Sequence, residues 1–392
     1  MSSDTILTYC LNVHPAESWT EVRAALLGPA REVARGLGGE APFPLGLRLS
    51  ARAVADLKDA AALADLKAIL AGERFEAVTV NGFPYGPFHG TRVKEAVYRP
   101  DWREPERLAY TCDLADLMAE IAPPGRMVSL STVPGAFRPL GEGAEDAIAD
   151  ALLQAAAHCA RLERRTGVPV ALAVEPEPFC LLETVEETAR FFRDRLYGEA
   201  AAERLAALAG LSPDEAARAL PRHLGLCYDV CHAAVEFEDP RESLALLREA
   251  GVPVHKLQIS AALRVPRVDA AARATLARFE EPTYLHQVVA RGPGELRRLR
   301  DLPEALARGA EADGEEWRVH FHVPVFLRDL GAFESTQGFL EEILALHRER
   351  PISPHLEVET YTWDVLPPEL RAGGLTHAIG EELRWVRQRL EA

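Results

Sequence analysis

The chain has few cysteines, and their arrangement suggests neither a disulfide framework nor a zinc-binding module. Its 392 residues include six cysteines, and no two of them form a C-x-x-C pair. They are Cys10, Cys112, Cys159, Cys180, Cys227 and Cys231. Scattered cysteines in a long chain without an export signal are typical of reduced thiols, so we expect a cytoplasmic protein.

The sequence also lacks segments that direct a chain into or across a membrane. Met1 to Asp4 carry no positive charge and precede no long apolar stretch, so no signal peptide is predicted. No apolar run approaches the ~18 residues that a membrane-spanning helix needs. We therefore expect no membrane span.

Basic residues are outnumbered by acidic ones, which bears on possible partners. The chain has 44 lysines and arginines against 60 aspartates and glutamates, a net charge of −16. Proteins that bind nucleic acid need a positively charged face, so nucleic acid is not an expected partner. No G-x-G-x-x-G or G-x-S-x-G motif is present either, so neither a dinucleotide fingerprint nor a hydrolase nucleophile elbow is predicted.

Apolar segments alternate with helix-forming segments along the whole chain. Short runs rich in β-branched residues are separated by stretches rich in Ala, Leu, Glu and Arg, which is typical of βα units around a parallel sheet. Nine strands are predicted: residues 6–13, 45–49, 75–81, 127–132, 169–175, 224–229, 252–260, 317–326 and 355–361. This pattern predicts an α/β protein, a (β/α)8 TIM barrel that forms a single domain over residues 1–392.

A barrel of this kind has eight strands, so one of the nine is in excess. Residues 265 to 316 are poorly patterned and are predicted to form an insertion over the C-terminal face of the barrel. The segment 317–326 is either the eighth barrel strand or part of this insertion. The segment Gly82 to Gly90 (GFPYGPFHG) follows the third strand and is predicted to form a loop at the mouth.

Helix starts are marked by side chains that cap the first turn. Ser18 with Glu21, Thr184 with Glu187, and Ser212 with Glu215 have the spacing of capping boxes. The sequence Asp239-Pro240 predicts a further helix that ends near Gly251.

Polar residues collect where the predicted strands end, which is where the catalytic groups of a barrel lie. They are Asn12, His14, Asn81, Glu175, Asp229, His232, Gln258, His320, His322, Glu357 and Glu359. Burying a lone carboxylate costs several kcal/mol or forces it to protonate, so such groups need a cation or hydrogen-bond donors. Glu175, Asp229 and Glu359, on separate strands, therefore predict a divalent-metal site.

Each of these residues also has a structural interpretation. Glu175 could pair with an arginine, and Asp229 could cap the following turn. Gln258 could bond only to backbone, and the histidines could be buried structural residues. Glu357 and Glu359 share one face of their strand, and Glu359, nearer the strand end, is favoured as the ligand.

Several of these motifs resemble one family. The segments VALAVEPEP, CYDVCH, HKLQIS and LEVETYT are similar to the metal-binding strand ends of the xylose isomerase-like barrel superfamily. That superfamily includes sugar isomerases, ketose 3-epimerases and endonuclease IV. Further segments, among them TVNGFPYGPFHG and WRVHFHVPVF, resemble the metabolite-traffic proteins of the Ebo type.

The resemblance implies a metal held by Glu175, Asp229 and Glu359. The long insertion between Gln258 and Glu359 is a departure from the pattern of the sugar isomerases. The fourth ligand is therefore either Gln258, on the seventh strand, or His322. The oxygen-rich set suits Mg²⁺ or Mn²⁺, while imidazole shifts the preference toward Mn²⁺, Co²⁺ or Zn²⁺.

The resemblance also implies a substrate site beside the metal. His232 matches the histidine of a D-x-x-H motif that contacts substrate, and Arg264 resembles a substrate-anchoring arginine. His14, Asn81 and His320 are predicted to contact substrate from the other strand ends.

The activity implied is isomerisation or epimerisation of a sugar-like small molecule through a metal-stabilised enediolate. Glu175 and Glu359 would pass a proton on and off the two faces of the substrate. Two alternatives stay open: a non-catalytic protein that binds and hands on a metabolite, and a metal-dependent endonuclease, against which the negative charge counts. Members of the superfamily are often oligomers, so a homodimer is possible.

Overall fold

The structure is a computed structural model that describes residues 5–39, 41–123, 125–371 and 373–392. Met1 to Asp4, on which the prediction of no signal peptide rests, lie outside these residues. No helix in the described part of the chain is long and apolar enough to cross a membrane.

Eight parallel strands form the barrel, as the alternating pattern predicts. They are β1 (Ile6–Tyr9), β2 (Phe43–Arg48), β3 (Phe75–Asn81), β4 (Val128–Thr132), β5 (Val170–Val174), β6 (Leu224–Asp229), β7 (Val254–Ile259) and β13 (His355–Val358). Their order in the sheet is β1-β13-β7-β6-β5-β4-β3-β2. A parallel bridge between Cys10 and Gly46 joins the two outer strands of this order. The prediction of a (β/α)8 barrel is thus confirmed.

A second, antiparallel sheet interrupts the barrel between β7 and β13. It consists of β8 (Ala262–Val265), β9 (Val288–Arg291), β10 (Arg297–Leu299), β11 (Glu316–His322) and β12 (Glu334–Ser335). The predicted strand 317–326 corresponds to β11, which pairs with β8 and β9 and not with a barrel strand. The ninth strand therefore belongs to the insertion, whose sheet extends beyond both ends of the predicted range 265 to 316.

Helices cover the outside of the barrel and connect its strands. Their bounds are α1 (Trp19–Ala25), α2 (Arg31–Leu37), α3 (Ala51–Asp56), α4 (Ala60–Glu73), α5 (Pro105–Ile121), α6 (Arg138–Gly141), α7 (Glu145–Thr166), α8 (Val185–Phe191), α9 (Glu199–Ala209), α10 (Pro213–His223), α11 (Val230–Val235), α12 (Pro240–Glu249), α13 (Ala270–Leu276), α14 (Leu302–Ala307), α15 (Gln337–Glu349) and α16 (Leu375–Glu391).

The predicted capping chemistry starts four of these helices. Capping boxes on Ser18, Thr184 and Ser212 open α1, α8 and α10. The Asp239 side chain accepts hydrogen bonds from two backbone amides at the start of α12. Each cap satisfies amides that have no partner within the helix.

The interior of the barrel holds a buried ion pair beneath the C-terminal mouth, among further buried polar side chains such as Ser129 and His355. Lys256 Nζ lies 2.6 Å from Glu357 Oε2, and both side chains are fully buried. A Cβ atom at Gly46 would lie 1.7 Å from Glu357 Oε1, so this position on β2 has no room for a side chain. The interpretation of Glu357 as a structural residue agrees with this pairing.

Candidate metal centre

Three carboxylates from three strand ends meet at the C-terminal mouth of the barrel. Asp229 is the last residue of β6, and Glu175 and Glu359 follow β5 and β13 directly. All three side chains are buried. One carboxylate oxygen of each residue lies within 4.8 Å of the corresponding oxygens of the other two. They converge because parallel barrel strands all end on the same face.

Amide and hydroxyl donors satisfy part of this cluster. Asn12 Nδ2 donates to Glu359 Oε1 at 2.5 Å, and Asn81 Nδ2 donates to the same oxygen at 3.0 Å. Ser260 Oγ donates to Asp229 Oδ1 at 2.7 Å. Glu175 Oε2 is buried and has no hydrogen-bond partner among the described residues.

Gln258 contacts the cluster from below, on β7. Its Nε2 donates to Glu175 and, at 3.0 Å, to Asp229 Oδ2. Its Oε1 is buried without a hydrogen-bond partner in the described part of the chain. The amide thus reaches two of the three carboxylates.

Burial and mutual repulsion change how readily these carboxylates ionise. Burial, with the charges of Glu359 and Asp229, raises the pKa of Glu175 well above its ordinary value. Burial, followed by the charge of Asp229, does the same to the pKa of Glu359. Burial also opposes ionisation of Asp229, but the facing histidines, when protonated, and hydrogen bonds from Ser260 Oγ and the His232 backbone amide lower its pKa overall. Asp229 is therefore the anion of the set, and the two glutamates favour a proton or a cation.

Three histidine rings lie beside the carboxylates. The His320 ring centroid is 4.5 Å from that of His232 and 5.4 Å from that of His322. His322 Nδ1 donates to the backbone oxygen of Glu359 at 2.7 Å, which leaves its buried Nε2 without a partner among the described residues. Burial lowers the pKa of His322 to about 4, so this Nε2 carries a lone pair at neutral pH. His320 and His322 both come from β11, so the second sheet supplies part of the site.

A pocket at the mouth of the barrel opens onto Glu175 and Glu359. Its walls are mostly apolar or aromatic, and they include Phe83, Pro84, Phe88, Val93, Val97, Tyr98, Tyr284, Leu285 and Tyr361. Phe83, Pro84 and Phe88 belong to the segment 82–90, which therefore forms part of the mouth as predicted. Among the described lining residues, Lys94 is the one lysine, and there is no arginine. Its Nζ lies 2.7 Å from Asp301 Oδ2, so its charge is already paired.

The structure brings together most of the residues proposed from the sequence. Asn81, His232 and His320 line the pocket with Glu175 and Glu359. Asp229, Gln258 and His322 lie behind them, in contact with the carboxylates.

Two predicted substrate residues lie elsewhere. Arg264, on β8, donates to Glu316 at 2.7 Å and to Glu334 at 2.6 Å, so it connects strands of the second sheet and does not line the pocket. A substrate-anchoring role for Arg264 stays a prediction, which these contacts do not support. His14 is buried against Tyr9, whose hydroxyl lies 3.2 Å from its Nε2, and it too is outside the pocket lining.

The sequence assigned no role to part of the site. Asn12 is among the predicted strand-end residues but was given no function there, and Glu177, in VALAVEPEP, is not among them; both line the pocket. The position of Glu177, two residues after a strand-end ligand, was the available signal. Tyr98 and Tyr284 also line the pocket but lie far from any strand end, where the strand pattern gives no indication of a site.

Comparison with known proteins supports the fold. No family model and no curated protein sequence matches the chain. A xylose isomerase-like TIM barrel protein from Mycobacterium smegmatis in complex with magnesium superposes with a TM-score of 0.53 at 12% identity, covering 100% of this chain and 98% of that one.

Two further solved structures are less similar. They are the IOLI protein with a bound zinc atom (TM-score 0.49, 12% identity, 99% of this chain and 98% of that one) and a D-tagatose 3-epimerase-like protein (TM-score 0.49, 10% identity, 99% and 97%). The similarity to the Mycobacterium smegmatis protein is high enough to bear on the fold. This chain therefore has the fold of the xylose isomerase-like TIM barrels.

Proposed function

We propose that the mouth of the barrel binds a divalent cation through Glu175, Asp229 and Glu359 and catalyses isomerisation or epimerisation of a hydroxy-carbonyl metabolite. The observation that carries this proposal is the convergence of three buried carboxylates to within 4.8 Å. Lys256, the cation buried beneath them, is already paired with Glu357 at 2.6 Å. Like charges this close need protons or an added cation to be stable.

The donor atoms fit a hard or borderline divalent ion. Three carboxylates supply charge, and the unpartnered oxygen of Glu175 is free to bind. Rotating the Gln258 amide by half a turn would direct its unpartnered Oε1 at the same carboxylates. His322 Nε2 is a further unpartnered ligand atom close by. Both therefore stay candidates for the fourth ligand, to Mg²⁺, Mn²⁺, Co²⁺ or Zn²⁺.

A bound divalent ion would polarise a substrate carbonyl and stabilise the negative charge that develops when a neighbouring C–H proton leaves. Glu175 and Glu359 line the pocket from different strands and are placed to hold that proton. Asn12 and Asn81 fix the Glu359 carboxylate by donating to Oε1.

The pocket walls favour an uncharged substrate with an apolar part. Phosphate groups are usually bound by arginines, lysines or helix N-termini. Lys94 is held by Asp301, and Arg264 lies in the second sheet. We therefore propose a substrate whose hydroxy-carbonyl end faces the carboxylates while its carbon skeleton packs on Tyr98, Tyr284 and their apolar neighbours.

Hydrogen exchange tests the catalytic half of this proposal. The Mn²⁺-loaded protein is incubated in deuterated water with unphosphorylated and phosphorylated ketopentoses and ketohexoses, and deuterium incorporation next to the carbonyl is followed by NMR. We expect exchange with unphosphorylated compounds, and its loss in Glu175→Gln and Glu359→Gln. Glu382→Gln, which changes a buried glutamate outside this pocket, is the matched control and should behave like the wild type.

The outcomes separate the candidate functions. If a ketose binds without any hydrogen exchange, the protein is a non-catalytic binder and not an isomerase. The resemblance to metabolite-traffic proteins suggests this alternative. Exchange that persists in both glutamate variants would remove their proposed roles. Preference for the phosphorylated compounds would overturn the proposed substrate class.

A further inference from the structure

A second group of metal-ligating side chains lies in the same pocket. Glu177, His232 and His320 line it, and each offers a ligand atom within 4.8 Å of those of the other two. All three side chains are buried. None of them belongs to the three-carboxylate cluster, and His320 reaches the pocket from the inserted sheet.

The hydrogen bonds of the two imidazoles leave both Nε2 atoms without a proton. His232 Nδ1 lies 2.8 Å from the backbone oxygen of Pro176, which can only accept. His320 Nδ1 lies 2.7 Å from Gln287 Oε1, which also accepts. In neutral rings both protons are then on Nδ1, so each Nε2 carries a lone pair.

The two Nε2 atoms nevertheless lie 3.1 Å apart. Two lone pairs at this distance repel each other unless a proton or a metal ion lies between them. Two imidazole nitrogens bound to one tetrahedral zinc, each at about 2.0–2.1 Å, are separated by about 3.3–3.4 Å. The observed separation is close to this value, so the spacing of the two nitrogens fits one shared ion.

The surrounding residues hold these groups in place. Gln287 Nε2 donates to the backbone oxygen of Pro178 at 3.1 Å and to the Tyr98 hydroxyl at 2.8 Å, which fixes its Oε1 toward His320. The Tyr98 hydroxyl in turn donates to Glu177 Oε1 at 2.7 Å. Such outer hydrogen bonds are what orients ligands in metal sites and sets the tautomer of ligating histidines.

We propose that Glu177, His232 and His320 form a second cation site, which takes a borderline divalent ion such as Zn²⁺ or Co²⁺. Two imidazoles and one carboxylate form a ligand set that proteins use for catalytic zinc, with a further position open to substrate or water. The open position faces the pocket, because all three residues line it. The two sites share no proposed ligand, so variants can test them separately, although His232 Nε2 lies 3.8 Å from Asp229 Oδ2.

Cobalt is a suitable probe because tetrahedral Co²⁺ absorbs visible light far more strongly than octahedral Co²⁺. The protein is stripped with a chelator, saturated with excess Mg²⁺ to fill the oxygen-rich site, and titrated with Co²⁺. Absorption is recorded together with metal content after dialysis. We expect the wild type to bind one equivalent of strongly absorbing Co²⁺. A wild type that develops no such absorption would overturn the proposal, whether or not any variant folds.

Variants assign the absorbing ion to its ligands. His320→Ala and Glu177→Gln should lower the Co²⁺ affinity at least about tenfold, whereas Glu359→Gln should lose Mg²⁺ and keep the strong absorption. His347→Gln, which changes a buried histidine outside the pocket, is the matched control. Unchanged cobalt titrations in His320→Ala and Glu177→Gln would contradict the assignment. If the wild type shows the strong Co²⁺ absorption but binds no Mg²⁺, the site on Glu175, Asp229 and Glu359 is refuted and the second cation site is not.

Discussion

Replacing Lys256 with methionine should destabilise the fold far more than breaking a surface ion pair. Lys256 Nζ lies 2.6 Å from Glu357 Oε2, and neither side chain has any exposed surface. The substitution keeps much of the side-chain volume but leaves a buried carboxylate without its cation, which costs about 3–5 kcal/mol. Arg204 and Asp150 form a pair of similar length, 2.7 Å, with side chains 46% and 41% exposed. Arg204→Met should therefore cost only about 0.2–1 kcal/mol.

Urea unfolding of the metal-free protein, followed by tryptophan fluorescence and circular dichroism, measures both effects. The double variant Lys256→Met/Glu357→Gln should regain much of the lost stability, because the remaining buried group is then uncharged. A loss in Lys256→Met no larger than that in Arg204→Met would refute the reasoning. So would a double variant no more stable than Lys256→Met alone.

Three further predictions concern single side chains. Burial raises the pKa of Glu382 to about 7, so in the folded protein this group retains a proton that the unfolded chain releases above about pH 4.5. Between about pH 4.5 and 7 the stability of the wild type relative to Glu382→Gln should therefore fall by up to roughly 3 kcal/mol in denaturant titrations, and a difference that does not change with pH would contradict the raised pKa. Gly46→Ala places a Cβ 1.7 Å from Glu357 Oε1. Thermal unfolding should therefore show that the free energy of unfolding falls by about 1–3 kcal/mol or more. Unchanged stability would contradict the packing described. Arg264→Ala should leave the Mn²⁺ affinity, measured by calorimetry, within about twofold of the wild type, because its partners Glu316 and Glu334 lie in the second sheet; a larger loss would restore a role at the site.

The barrel was predictable from the sequence because its strands are encoded locally. Several apolar runs are followed by a segment with its own capping signal, such as Thr184 with Glu187, and eight of the predicted runs appear as parallel strands. The segment 317–326 has the same apolar character, so its pattern alone cannot decide which sheet it joins. This segment joins the second sheet because it pairs with residues 262–265 and 288–291. These residues are distant in the chain, so a local sequence pattern does not show the pairing.

The candidate site was predictable where chemistry conflicts with burial. A carboxylate at the end of an apolar strand, as at Glu175 or Asp229, is costly without a partner, so its position already indicates a shared ion. The contacts of Arg264 could not be predicted in this way, because an arginine after a strand has many possible partners. Nothing in its motif indicates that it would pair with Glu316 and Glu334. The tautomer of His320 depends on Gln287, 33 residues away in the chain, and only the folded arrangement shows it.

An anomalous difference map from crystals soaked in Mn²⁺ would test the metal centre most directly. The account predicts a peak at the mouth of the barrel, about 2.0–2.2 Å from one oxygen each of Glu175, Asp229 and Glu359. A map without a peak between these three residues, from crystals in which the mouth is open to solvent, would contradict it.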